Sequence, residues 1–511
     1  MSSRPRRVIA LLLAASLSLV SACSSGPDAV APAASSPAAR TESVSAPPIF
    51  APTIRPNIVF VLVDDLSMNL VRYMPNVLAL QRAGTSFTNY TVTDSLCCPS
   101  RASMLTGRYP HNTGIIKNHG SDGGFQLFHR RGEERSTFAT DLQKAGYRTA
   151  FLGKYLNEYV PRKTIVAGKP YVPPGWTEWY AGGNDYTNYN YTLNENGVLR
   201  SYGSRPQDYL TDVLSAKASR FITTSAAARK PFFVEVSTYA PHHPYTPAPR
   251  DVNAFPGLKA PRTPAFGKVP VNAPRWLAKH SPLTAIQMGR FDRAFRLRVQ
   301  SIQAVDRMIG SLRATLTRAG VAEETVVVFS SDNGYHLGEY RLNAGKQTAF
   351  DTDVNVPLVA AGHGVAAGHV SALPVENIDL RPTFAELAGA VVPAEVDGRS
   401  IVPLLAGSSP ESWRVAALIE HGDPATDPAD PDYQKYSENT PPTYDALRTA
   451  SFTYVENVDG TREYYDRRSD PYQMLNLAGK LDPERLTELS AALRRLARCE
   501  GAASCWAASV F

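Results

Sequence analysis

The chain has 511 residues, 43% hydrophobic and 20% charged, an ordinary globular composition with ample material for a large core. Its formal charge of +6 falls to +3 once Arg4, Arg6 and Arg7 leave with a cleaved leader. That balance is too weak for a nucleic-acid binder, so no nucleic-acid partner is expected, while a locally basic pocket for an anionic substrate stays compatible with it.

Residues 1–22 carry a basic start, an apolar run at 8–19 and small residues before Cys23. This is the pattern of a signal peptide for export, too short for a membrane span. Val20-Ser21-Ala22-Cys23 resembles a bacterial lipobox, which implies lipidation of Cys23 and a cell-envelope lipoprotein held outside the cytoplasm by its lipid alone. A conventional cut beside Cys23 would instead give a secreted protein. Residues 23–56 are rich in Ala, Pro and Ser and read as a disordered tether.

Residues 58–63 are an unbroken apolar run, read as a buried central strand, and they end in Asp64-Asp65. Two carboxylates there are costly unless neutralised; a hard divalent cation with oxygen ligands would satisfy both, and a strand end that meets water is the bland alternative. Residues 75–83 read as a helix stopped by Gly84, and 86–92 as a strand. Next comes Cys97-Cys98-Pro99-Ser100-Arg101, where the proline suits a helix's first turn, 100–105 reads as helix and Gly107 as its stop. Cys97 then sits at a helix N-terminus that favours negative charge, with Arg101 one turn on as a cation beside it.

Strand and helix keep alternating: a helix at 138–145 capped by Thr137, a strand at 147–152 before Gly153-Lys154, a helix at 208–224, a strand at 232–237 before His242 and His243, a long amphipathic helix at 291–318, and a strand at 325–330 before Asp332-Asn333. This βα alternation predicts an α/β fold with a mainly parallel sheet flanked by helices. Asp64, Asp65, Lys154, His242, Asp332 and Asn333 each follow a core strand, and a parallel sheet gathers such ends at one edge, which argues for a single site.

From residue 415 the texture changes. Residues 423–442 are polar and rich in Asp and Pro, a loop; 444–450, 451–457 and 461–466 read as short strands, the last two joined at Asp459-Gly460; and Pro483 opens a closing helix with Leu486, Leu489, Leu493 and Leu496 on one face. A smaller α+β subdomain with an antiparallel sheet is expected at 415–511. Cys499 and Cys505, six apart in an exported chain, suit a small-loop disulfide.

The stretch from Cys97 to Arg108 resembles the signature of the type I sulfatases, C-x-P-S-R followed after three residues by L-T-G-R, and the similarity runs from about 56 to 405. The resemblance implies an alkaline-phosphatase-like catalytic domain at 57–414. It implies that Cys97, and not Cys98, is converted to formylglycine by a formylglycine-generating enzyme acting on the unfolded chain. By the same resemblance Asp64, Asp65, Asp332 and Asn333 hold calcium, or magnesium, beside the modified Cys97. Arg101, Lys154, His242 and Lys346 match positions that hold the formylglycine or the sulfate. Stretches such as 153–159, 332–336 and 175–180 look closer to the N-acetylglucosamine-6-sulfatase branch. Many members carry a histidine two positions after the lysine matched by Lys154; here it is Leu156, and either Asn157 or His336 would supply the missing hydrogen bond, His336 being preferred.

The activity implied is hydrolysis of a sulfate ester on a sulfated sugar, glycan or aryl sulfate. A hydroxyl of the hydrated aldehyde attacks sulfur, and His242, with Lys346, protonates the leaving alcohol. The aromatic residues of 176–191 either pack a lid or touch sugar, with contact favoured. The rival readings are a phosphate or phosphonate ester hydrolase of the same superfamily and an inactive surface lipoprotein that binds sulfated glycans.

Overall fold

The computed structural model describes residues 55–424, 428, 430, 432–433 and 441–511. The leader, Cys23, the tether up to residue 54 and much of the 423–442 loop lie outside the described residues. Strands β1 (Asn57–Val63), β2 (Gly84–Phe87), β3 (Arg148–Lys154), β4 (Glu178–Gly182), β5 (Thr192–Glu195), β6 (Val198–Ser201), β7 (Phe232–Thr238), β8 (Thr325–Ser331), β9 (Leu358–Gly362) and β10 (His369–Ser371) form one ten-stranded sheet. Its order is β10-β2-β9-β8-β1-β7-β3-β4-β5-β6. The centre, from β8 to β4, is parallel throughout; β9 and β5 run against it.

Helices α1 (Pro75–Ala83), α2 (Cys97–Thr106), α3 (Phe138–Lys144), α4 (Leu210–Ala227), α5 (Ala285–Arg318) and α6 (Leu380–Ala388) cover the two faces. Alternate residues of β1 feed two cores. Val59, Val61 and Val63 pack with Leu214 and Phe221 of α4 and Phe295 and Val299 of α5. Ile58, Phe60 and Leu62 pack with Ala102 of α2, Phe138 of α3 and Phe384 of α6. A strand buried on both faces has no polar side to show, which is why β1, β7 and β8 are so readily read from composition.

Beyond them, β11 (Ala416–His421), β12 (Tyr444–Thr449), β13 (Phe452–Asn457) and β14 (Arg462–Asp466) make a four-stranded antiparallel sheet in sequence order. Leu489, Leu493 and Leu496 of α7 (Pro483–Leu496) pack with Leu418, Leu447 and Tyr454 of that sheet. Cys499 and Cys505 are joined, with Cα atoms 4.9 Å apart.

Several expectations change. α1 ends at Ala83 with Gly84 after it, as the sequence implies, but Gly84 is extended and also begins β2, where an added Cβ would lie 1.9 Å from the Ala360 carbonyl oxygen of β9. The strand expected at 86–92 ends at Phe87, and Tyr90–Thr91 pairs separately with Val375–Glu376. Helix α5 begins at Ala285 instead of 291, because Thr284 and Gln287 form a capping box ahead of its apolar stripe. The segment read as a lid or sugar surface holds β4, and its tryptophans are interior: Trp176 and Trp179 pack against Phe151 in the core.

Gly153 sits in β3 one residue before Lys154, at φ +110, and a Cβ there would meet the Ser237 carbonyl oxygen of β7 at 1.8 Å. Gly153→Ala is therefore expected to lower the stability by roughly 3 kcal/mol, the upper end of overpacking costs, read as a fall in the urea midpoint at unchanged slope.

Candidate active site

The carboxyl ends of β1, β3, β7 and β8 deliver Asp64 and Asp65, Lys154, His242, and Asp332 and Asn333 to one edge of the sheet. Helix α2 brings Cys97 to the same place as its first residue, starting three residues earlier than expected and carrying Pro99 within its first turn. Gly107, at φ +67, closes that helix as a left-handed cap, in keeping with the sequence.

Cys97 is fully buried. Its thiol donates to Asp64 Oδ1 at 3.4 Å, and Lys346 Nζ lies 2.9 Å from its sulfur. Lys154 Nζ sits 2.8 Å from both oxygens of Asp64, and Lys346 Nζ reaches Asp65 Oδ1 at 2.6 Å. Arg101 does not bond the cysteine. Its Nε donates to Asp332 Oδ2 at 2.8 Å, and Nη1 donates to the Lys154 carbonyl at 2.7 Å and to Ser237 Oγ at 2.6 Å, so it locks three strand ends together.

Asp65 has a left-handed backbone, φ 62, that asparagine and aspartate tolerate better than other side chains. Arg298 of α5 holds it there by donating to its carbonyl at 2.5 Å, while the guanidinium lies 4.3 Å above the Tyr335 ring. Asn333 Nδ2 donates to Asp65 Oδ1 at 2.6 Å. His242 Nδ1 donates to the His243 carbonyl at 2.8 Å, which points Nε2 inward, 3.7 Å from Asp65 Oδ2; the Tyr186 ring stacks on the imidazole at 4.2 Å.

The electrostatics follow from burial and charge. Burial pushes the Cys97 thiol well above its ordinary value, against the opposing pull of Lys154 and Lys346. Burial alone would lower His242, but Asp65, Asp64 and Asp432 outweigh it and raise the imidazole, favouring its protonated form. Lys154 and Lys346 stay charged because neighbouring carboxylates overcome their desolvation. Burial raises Asp64, with Lys154 opposing; Asp332 is held below the usual carboxylate range because Arg101, Lys154 and Lys346 outweigh its burial.

A dication fits this set. Asp65 Oδ2 and Asn333 Oδ1 are buried without a hydrogen-bond partner among the described residues, and both are hard oxygen acceptors. Ligand atoms of Asp64, Asp65, Cys97 and His242 lie within 4.8 Å of one another. Of the ligands expected from the sequence, Asp64 and Asp65 lie in that group, while Asn333 adjoins it through its bond to Asp65 and Asp332 Oδ1 accepts from the Asp65 N–H at 3.0 Å.

Two candidates fall elsewhere. His336 Nδ1 is 3.0 Å from both oxygens of Asp353 and its N–H donates to the Gly345 carbonyl, so it serves the loop that carries Lys346. Asn157 is buried, with neither side-chain oxygen nor nitrogen hydrogen-bonded to the cluster, and Leu156 joins the apolar core. Sequence reading missed two neighbours, Asn118 and Asp432, and reached Tyr186 only as one of the aromatic residues of 176–191. Asp432 Oδ1 lies 3.0 Å from Lys346 Nζ and 3.6 Å from His242 Nε2. It belongs to a loop with Asp423, Asp427 and Asp430, and nothing in that composition singles one of them out.

A family model described as Sulfatase matches residues 56–390, and one described as N-sulphoglucosamine sulphohydrolase, C-terminal, matches 338–498. The N-acetylglucosamine-6-sulfatase of Capra hircus is 35% identical over 474 residues, 88% of this chain and 84% of its own length. A solved protein in complex with its substrate D-glucosamine-2-N,6-O-disulfate shares the fold with a TM-score of 0.71 at 23% identity, covering 86% of this chain and 97% of its own. The phosphonate monoester hydrolase from Silicibacter pomeroyi shares it with a TM-score of 0.65 at 22% identity, covering 87% and 93%. The fold is thus common to sulfate and phosphonate enzymes, but the family model spans every strand end that builds the site and the goat relative runs along most of both chains. The chain belongs to the sulfatase family and is a sulfatase.

Proposed function

We propose that this enzyme removes sulfate from a sulfated sugar of the N-acetylglucosamine 6-sulfate kind, using a formylglycine derived from Cys97 and a dication, calcium or magnesium, held by Asp64, Asp65, Asp332 and Asn333. The observation that carries the reading is the gathering of Asp64, Asp65, Cys97 and His242 within 4.8 Å of one another, with Lys346 2.9 Å from the buried thiol and Lys154 bonded to Asp64. When present, the dication supplies positive charge and the hydrated aldehyde supplies the attacking hydroxyl.

The encoded residues do the rest. Burial raises the unconverted Cys97 thiol, and a thiol, unlike a hydrated aldehyde, has no second hydroxyl with which to release sulfate. Lys154 and Lys346, fixed by Asp64 and Asp65, present ammonium groups to the sulfate oxygens at no cost in reorganisation. Arg101 keeps the strand ends in register. His242, held by the His243 carbonyl and charged by the surrounding carboxylates, has its Nε2 unbonded and gives the proton that a sugar alkoxide needs on leaving. Export and lipidation at Cys23 belong to the same reading, supported by the composition of residues 1–23; among the described residues no helix is long and apolar enough to cross a membrane.

The test compares wild type and His242→Gln on N-acetylglucosamine 6-sulfate, on an aryl sulfate and on a phosphonate monoester. Wild type is expected to release sulfate from the sugar. The variant is expected to lose roughly 10²–10⁴-fold in kcat/KM there, and far less on the aryl ester, whose phenolate leaves without help. Equal losses on both sulfates would take the proton-donor role from His242. Faster turnover of the phosphonate than of either sulfate would overturn the substrate class.

A further inference from the structure

Asp432 is the acidic residue of the cluster that the mechanism leaves unused, and its surroundings are those of a bound anion. Oδ1 forms an ion pair with Lys346 Nζ at 3.0 Å and faces His242 Nε2 at 3.6 Å, the two groups assigned to the ester. Oδ2 accepts from Asn118 Nδ2 at 2.9 Å and lies 3.8 Å from Cys97 Sγ. The residue is anchored as well as placed. Its N–H donates to Asp430 Oδ1 at 2.9 Å and its carbonyl accepts from Gln347 Nε2 at 3.3 Å. Asn118 is itself tied to α2, accepting at 3.0 Å from the Cys98 N–H. With Asp65, His242, Tyr245 and Lys346, Asp432 lines a cavity of about 210 Å³.

Asp64, Asp65 and Asp332 are the carboxylates assigned to the dication, and Asp65 also neighbours Lys346 at 2.6 Å; Asp432 has no part in that assignment. Asp432 instead shares its partners with the substrate. Hydrolysis of a sulfate ester takes R–O–SO₃⁻ and water to R–OH, SO₄²⁻ and a proton, so the product carries one more negative charge than the ester. Coulomb repulsion scales with the product of the charges and is poorly screened in a buried site. A fixed carboxylate at this position therefore opposes the dianion about twice as strongly as the monoanion.

We propose that Asp432 is a resident anion on the sulfate seat, which sets the site's preference for monoanionic esters over dianions and promotes release of inorganic sulfate. The inference rests on the proposed reading that Lys346 and His242 hold the ester.

The full-length enzyme, active on a sulfate ester, is compared with Asp432→Asn and Asp432→Ala, each first checked for native circular dichroism. The measurements are the inhibition constants of inorganic sulfate and inorganic phosphate and the KM of the ester. Both variants are expected to bind inorganic sulfate roughly tenfold more tightly or better, with phosphate following, while KM falls about threefold, so that progress curves bend earlier as product accumulates. Unchanged or weaker sulfate inhibition in both variants would overturn the role of Asp432. Lys346→Ala separates the two readings. If sulfate still inhibits that variant as it does wild type, the seat itself is misplaced and the inference falls with it. If Lys346→Ala loses sulfate inhibition and the Asp432 variants do not gain it, only the inference falls.

Discussion

Cys97→Ala is expected to end turnover, lowering kcat by roughly six orders of magnitude, as removal of a hydrolase's nucleophile does, while the chain still folds. The fold should survive because the truncation strands no charge. Lys346 keeps Asp65 and Asp432, and Asp64 keeps Lys154. What is lost is one buried sulfur, about 1–2 kcal/mol by the scale of small core truncations. Cys98→Ala is the matched control: its side chain lies in the apolar core, and its loss is expected to leave the rate on a sulfate ester within a few-fold of wild type. Urea unfolding separates folding from chemistry, and mass spectrometry of the peptide spanning 95–101 reads the conversion of thiol to aldehyde directly. Full activity in Cys97→Ala, or an intact thiol throughout a fully active preparation, would refute the assignment.

Stripping divalent cations is expected to abolish turnover and to lower the thermal midpoint, with both restored by added calcium. Asp64, Asp65, Asp332 and Asp432 gather against the permanent charges of Arg101, Lys154 and Lys346, leaving the strand ends one positive charge short before His242 is counted. Two buried oxygens, on Asp65 and Asn333, also lack a donor among the described residues. With His242 protonated the charges balance, but unpaired buried acceptors remain costly, so an ion that satisfies them stabilises the fold as well as the reaction. At a thousandfold excess over its dissociation constant it contributes about 4 kcal/mol. Asn333→Ala is expected to raise the calcium concentration needed for half-maximal stabilisation, measured without substrate. Full turnover in enzyme whose metal content is verified below its own concentration would remove Asp64 and Asp332 from the mechanism.

Most of the frame was legible because its central strands are interior on both faces. A run such as Val326-Val327-Val328-Phe329 has no solvent side to alternate with, and the first polar residues after it necessarily mark a strand end. That logic located Asp64, Lys154, His242 and Asp332 without any knowledge of pairing. It fails where strands are short and exposed. Val198–Ser201 at the sheet's edge is solvent-facing along its whole length and offers no pattern. It fails again where one carboxylate among several in a polar loop is drawn inward, as Asp432 is, since the selection is made by Lys346, Gln347 and Asn118 rather than by local sequence. Local sequence also does not show which partner the His336 imidazole takes. The loop turns, and Asp353, which also holds Thr348, claims the imidazole.

The pairing of β1 with β8 has a bearing on timing. Asn57 and Thr325 start the two strands and bond each other across 268 residues, so β1 stays without that neighbour until the ribosome has supplied most of the polypeptide. Cys97 is synthesised early, yet the groups that seal it, Asp332, Lys346 and Asp432, arrive last. Under the proposed conversion of Cys97, topology leaves the modifying catalyst a long window on an open segment, closed only when β8 and the loops after it arrive.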